Sequence, residues 1–155
     1  MIREAESGVL RAVQKWAAKQ IALIPEFMAE GVFVMAEDEG DYESELEKQT
    51  NRHKISAFVH TPALRKIDHY HRQAVLNVKV YECVQLHRSH GRIVNWTALR
   101  VAERILATFD DSQMTEAPWA AFYADGESIA MESQSPWLIY NVNLVGKMIL
   151  SRRPI

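Results

Sequence analysis

The sequence predicts an α+β domain, with a mostly antiparallel sheet of about five strands and two main helices packed on one face of it. Two stretches, residues 4–23 and 96–109, repeat apolar residues at the three- and four-residue spacing of an amphipathic helix. Shorter stretches between and after them alternate apolar and polar residues, which is the period of a half-buried strand. Strands that follow one another without regular intervening helices favour antiparallel pairing, and we treat residues 1–155 as one domain.

The first helix is predicted over residues 4–23, and Pro25 either ends it or begins the connection that follows. One side of this helix is apolar and the other carries cations, as expected of a helix that covers a sheet. The apolar positions are Val9, Val13, Trp16, Ala17, Ile21 and Ile24, and the polar stripe contains Arg11, Lys15 and Lys19.

Two short strands are predicted next, at residues 32–35 and at residues 55–59, the second stopping near Pro62. The acidic residues 37–47 between them are too rich in carboxylates for the core, so an exposed loop or a short helix is expected there. The polar residues 63–73 are expected to form a long hairpin loop.

The clearest strand lies at residues 76–86, and a basic loop with a single glycine connects it to the second helix. Glu82 is the one charged residue on its apolar face, and Asn95 is the predicted N-cap of the helix. The strand's inward residues are Leu76, Val78, Val80, Val84 and Leu86, and the predicted buried stripe of the helix is Trp96, Leu99, Ala102, Ile105, Leu106 and Phe109.

The C-terminal part is predicted to contain a hairpin. Its strands are expected at residues 129–132 and 137–145, joined through Gln134, Ser135 and Pro136. A tight turn is expected before them, at Asp125 and Gly126. Residues 146–155 are expected to extend the last strand or to form a tail.

The composition is that of a soluble globular protein, with 48% apolar and 25% charged residues. Cys83 is the lone cysteine and can form no internal disulfide, which favours a reducing cytoplasm. The charged N-terminal residues MIREAESG disfavour a secretory signal, and no apolar run approaches the roughly 20 residues that span a bilayer. We therefore expect a cytoplasmic chain without a membrane partner.

Charge is unevenly distributed along the chain although the net charge is only −2. Residues 1–50 hold 5 Lys/Arg against 11 Asp/Glu, whereas residues 65–104 hold 8 Lys/Arg against 3 Asp/Glu. Such a division can mean two solvated faces. It also suits identical subunits that place an acidic flank against a neighbour's basic one, a head-to-tail contact that can close into a ring.

Local catalytic motifs do not occur in the sequence: it contains no G-x-S-x-G, P-loop, G-x-G-x-x-G or H-E-x-x-H pattern. We predict a protein that is not an enzyme and holds no cofactor. Two histidine pairs, at residues 69 and 71 and at residues 87 and 90, have a spacing that can chelate zinc, but no cysteine stands near them and no metal is predicted. A small metal- or ligand-binding domain that uses these histidines remains an alternative, as does an enzyme whose cleft is assembled only by folding.

The cations around Arg88, His90 and Arg92 could contact nucleic acid phosphates, or the acidic surface of a protein partner. Aromatic residues that would stack on bases are sparse nearby, with Tyr70 and Trp96 the nearest. This disfavours nucleic acid as a specific partner.

The segment VKVYECVQLHRSHGRIVNWTALRVAERILATF, together with the order of the predicted elements, resembles the tail terminator and tail-completion proteins of tailed phages and their prophage relatives. Val78, Val80 and Glu82 match that family's V-x-V-x-E strand, and an arginine-bearing loop and a helix follow in the same order. The closing hairpin begins with a similar aromatic-x-aliphatic pattern at Trp137 and Ile139.

The resemblance implies a structural virion protein of prophage origin, without catalytic residues, that is cytoplasmic during assembly and then part of the virion. Such proteins form a ring, usually a hexamer, that caps the tail tube and joins it to the head. The implied partners are further copies of this chain, the tail tube and head-joining proteins. The predicted contact residues are Arg88, His90 and Arg92, then Arg65, Lys66 and Arg72, with Glu37, Asp38 and Glu39 in the matching acidic flank.

Overall fold

A computed structural model of the chain describes residues 2–36, 41–53, 55–60, 62–69, 71–83, 96–110, 122–134 and 137–149. These residues contain four helices and six strands. In chain order the elements are α1 (Ile2–Ala22), α2 (Pro25–Glu30), β1 (Phe33–Ala36), α3 (Tyr42–His53), β2 (Ile55–Val59), β3 (Ala63–Lys66), β4 (His71–Cys83), α4 (Ala98–Asp110), β5 (Phe122–Gln134) and β6 (Trp137–Ile149). The predicted α+β class is confirmed, with six strands in the sheet.

The six strands form one sheet in the order β1-β2-β4-β6-β5, and β3 pairs with β4 beyond the end of β2. β1 pairs with β2 in parallel, and the other described pairs are antiparallel. The centre of the sheet is the ladder between β4 and β6, which runs without a register shift from His71↔Ile149 to Cys83↔Trp137. The sheet is therefore mostly antiparallel, as predicted.

Helices α1 and α4 cover one face of the sheet, which confirms the predicted arrangement of two main helices. The ring of Trp16 on α1 meets that of Phe109 on α4 edge-on, with centroids 5.6 Å apart. Leu76, Val78 and Val80 of β4 are fully buried beneath these helices, as the alternation predicted. Each such side chain contributes about 1.5–3 kcal/mol by leaving water, so this face supplies much of the stability.

Helix α3 covers the opposite face at the β1–β2 end of the sheet. Leu46 of α3 packs against a second core cluster that contains Phe58, Tyr81 and Ile139. One turn after Leu46, the buried hydroxyl of Thr50 hydrogen-bonds that of Ser56 on β2. The acidic segment, for which an exposed loop or short helix was expected, thus leads into a helix whose inner side is anchored to the sheet.

The connection from α1 to β1 is a short second helix. Ile24 is extended and Pro25 opens α2, a position where the missing N–H of proline has no intrahelical role. Gly31 ends this helix in the left-handed region at φ 74°, and its N–H donates to the carbonyl of Phe27 at 2.9 Å. Pro25 therefore begins the connection rather than only ending α1.

A bulge separates β2 from β3. Val59 pairs with Val78 and Ala63 with Val75, so the edge formed by β2 and β3 contains one residue more than β4 does there. The buried side chain of Gln14 on α1 donates from Nε2 to the Val59 carbonyl at 3.0 Å. This hydrogen bond fixes α1 to the sheet where the strand register changes.

The prediction of a hairpin loop over residues 63–73 is wrong, because the loop is much shorter. Residues 63–66 and residues 71–73 belong to paired strands, so only residues 67–70 connect them. The neighbouring residues Arg65 and Lys66 are both exposed, so the described side chains of β3 do not alternate between buried and exposed. The tight turn predicted at Asp125 and Gly126 is also wrong, since both lie within β5, where the register against β6 shifts between residues 124 and 129.

The start of α4 differs from the prediction, whereas its buried stripe is confirmed at all but one position. The helix begins at Ala98 rather than after Asn95, which lies outside the described residues, and the Thr97 hydroxyl accepts the N–H of Arg100 at 3.2 Å. Leu99, predicted to be buried, is 40% exposed, whereas Ala98 and Val101 are fully buried. The other predicted positions are buried or packed against the core, namely Trp96, Ala102, Ile105, Leu106 and Phe109.

Candidate functional site

Most of the predicted contact residues lie outside the described part of the chain. This holds for Arg88, His90 and Arg92, for which a loop is predicted, and for the acidic residues Glu37, Asp38 and Glu39. Arg65 and Lys66 lie on β3 and are exposed, and Arg72 lies on β4 opposite Lys66 in the register. The structure therefore places the second group of predicted basic contact residues, Arg65, Lys66 and Arg72, on the paired strands β3 and β4.

The hairpin tip, residues 63–69 together with the start of β4, exposes two cationic residues, Arg65 and Lys66. Arg65 donates from its guanidinium to the amide oxygen of Gln73 at 3.4 Å, across the β3–β4 pair. Ile67 beside them is 50% exposed. Two cations next to an exposed aliphatic side chain form a surface suited to an acidic protein partner.

A polar network lies on the sheet face opposite α1 and α4. The amide nitrogen of Asn77 on β4 donates to the side-chain oxygens of Asn141 and Asn143 on β6, at 3.2 and 2.9 Å. Asn141 in turn donates to a carboxylate oxygen of Glu132 on β5 at 3.0 Å, and Lys79 donates to the same oxygen at 3.1 Å. The network thus spans three adjacent strands, and its members hold one another in fixed positions.

The charge of Glu132 is stabilised by this network. The hydrogen bond from Asn141, followed by the hydrogen bond and charge of Lys79, lowers the pKa of the Glu132 carboxyl below its ordinary value. The Lys79–Glu132 pair is partly solvated, with 26% and 46% of the two side chains exposed. Water screens such a pair, so it contributes little to folding and mainly keeps an anionic group at this edge of the sheet.

Glu82, the charged residue on the apolar face of β4, is fully buried. Its carboxylate accepts the N–H of Ala98, the first residue of α4, at 2.9 Å. A carboxylate at this place satisfies one of the N–H groups that a helix N-terminus leaves without an intrahelical partner, and it complements the helix dipole. The hydrogen bond also joins the two described ends that flank residues 84–95, namely the end of β4 and the start of α4.

A shallow open depression of about 470 Å³ lies between the end of α1 and α4. Arg104 at its rim forms an ion pair with Glu26 of α2 at 3.3 Å and donates to the hydroxyl of Thr108. Leu23, also on the rim, is 53% exposed. The guanidinium is already engaged within the chain, so the depression presents mainly apolar surface.

Among the residues that the structure describes, no three His, Cys, Asp or Glu side chains come together as a metal site. His69 is exposed at the hairpin tip, while His87 and His90 lie outside the described ranges. Cys83 is buried at the end of β4 as a free thiol, where it packs as a small apolar side chain. None of the helices in the described ranges is long and apolar enough to cross a bilayer.

The polar network is not predicted by the sequence. The alternation of β4 placed Asn77 and Lys79 on the polar face, but their partners on β6 and β5 depend on a register that the sequence does not display. An Asn–Val–Asn pattern at residues 141–143 is the one signal that could have indicated a polar row on β6.

No protein-family model, curated protein or solved structure matches this chain. We therefore infer its function from these surfaces and from the resemblance of its sequence.

Proposed function

We propose that this chain is a non-enzymatic assembly subunit that associates with copies of itself into a ring, caps a phage tail tube and joins it to the head. The observation that carries the proposal is the hairpin tip, where Arg65 and Lys66 are exposed on β3 and Ile67 is exposed directly after it. The ring and the tail tube in this proposal come from the resemblance of the sequence to tail terminator proteins.

The hairpin tip suits a contact between subunits for a physical reason. Within one chain, Arg65, Lys66 and Ile67 are exposed to solvent. An acidic surface of a neighbouring copy would attract the two cations and would bury the exposed part of Ile67 at the same time. The chain contains suitable acidic residues, since residues 1–50 hold 11 Asp/Glu against 5 Lys/Arg.

Self-association is tested on the purified full chain by light scattering coupled to size exclusion, over a range of protein concentrations and salt. We expect a single closed species that weakens as salt rises, because exposed charge pairs are screened. Ring-shaped particles should be visible by negative-stain electron microscopy. A chain that stays monomeric at every concentration would contradict the proposal.

The contribution of the hairpin tip is tested with the double variant R65E/K66E. We expect its association constant to fall by about tenfold or more, because two attractive contacts become repulsive. The matched control is K15E/K19E, which reverses two exposed lysines on α1 and the same amount of charge. Equal weakening in both variants would mean that overall charge, and not this surface, governs association.

The virion context is tested separately by the position of the gene. Genes for tail-tube and head-joining proteins should flank it, since tail proteins of one particle are made together. Neighbours that encode unrelated metabolic enzymes would argue against a role in tail completion while leaving self-association open.

A further inference from the structure

We draw no further inference here: the strongest candidate, the depression between the end of α1 and α4 with the exposed side chain of Leu23 at its rim, is a mainly apolar surface, and nothing in the structure shows what covers it.

Discussion

Replacement of Glu82 by leucine should destabilise the protein through one identifiable hydrogen bond. The carboxylate of Glu82 is fully buried and accepts the N–H of Ala98 at 2.9 Å. Leucine is similar in size but accepts no hydrogen bond, so the first N–H of α4 would be left buried without this partner. An unsatisfied buried donor costs about 1–3 kcal/mol, and loss of a negative charge at a helix N-terminus adds about 0.3–1 kcal/mol.

Glutamine at the same position should be tolerated better. Its side-chain oxygen can still accept the Ala98 N–H, while the charge is lost. A neutral group also avoids the desolvation of a buried carboxylate, which offsets part of the lost interaction with the helix dipole. We therefore expect a loss of about 1 kcal/mol or less for E82Q and about 2–3 kcal/mol for E82L.

The measurement is the free energy of unfolding from denaturant titration, with the melting temperature as a second readout. For a chain of this size, 2–3 kcal/mol corresponds to a decrease of about 4–12 °C in melting temperature. E103L provides the control, because Glu103 is an exposed acid on α4 and its replacement should change stability by less than about 0.5 kcal/mol. Hydrogen exchange should show the Ala98 amide exchanging faster in E82L.

The reasoning would be refuted if E82L were as stable as the unchanged chain, or if E82Q lost as much as E82L. The first result would mean that Ala98 finds another partner at no cost. The second would mean that the charge, and not the accepted hydrogen bond, accounts for the effect.

Two further predictions concern the polar network and the end of α2. N141A should raise the pKa of the Glu132 carboxyl toward its ordinary value, because the hydrogen bond from Asn141 is the main cause of the lowered pKa. Carbon-detected NMR titration measures the pKa of this carboxyl. Since that pKa is lowered on folding, the carboxyl stabilises the fold above its unfolded pKa, and this small contribution disappears as the pH falls through the folded pKa. G31A should lower the free energy of unfolding, measured by denaturant titration, by about 1 kcal/mol, because φ at this position is 74°. G31N should lower it by less, because asparagine adopts the left-handed region more readily. A new Cβ would meet no atom within 4 Å, so steric contact does not contribute to either loss. Equal losses in the two glycine variants would contradict a purely conformational cause.

The parts of the fold that could be predicted are those in which burial follows a regular period. The alternation through Leu76, Val78 and Val80 identified β4, because each of these side chains is covered by α1 and α4. Strands without an apolar row were missed. β3 is exposed on its described positions, so its sequence predicts a loop, although backbone pairing with β4 alone makes it a strand.

The candidate site was less predictable, because its contacts join residues far apart in the chain. The sequence identifies Glu82 as the one charged residue on the apolar face, but its partner Ala98 lies 16 residues later in the chain. The link between Asn77 and Asn143 spans 66 residues and depends on the β4–β6 register. The charge pattern of the sequence did identify Arg65 and Lys66 as exposed cations, since a cluster of cations can be recognised without knowing which residues it contacts.

The β4–β6 ladder explains how a four-residue strand can hold the hairpin tip in place. An isolated two-stranded hairpin is marginally stable in water, and β3 pairs with β4 alone. Where β4 pairs with β3, however, its other side is paired with β6, and that pairing runs as far as His71↔Ile149. β6 in turn pairs with β5 as far as Phe122↔Gly146. The tip is therefore the end of a sheet, and its cations are spaced at about 3.3 Å per residue along a fixed strand. Reversing those charges should alter what the tip binds without altering the ladder that positions it, so the association and the stability of R65E/K66E can be measured independently.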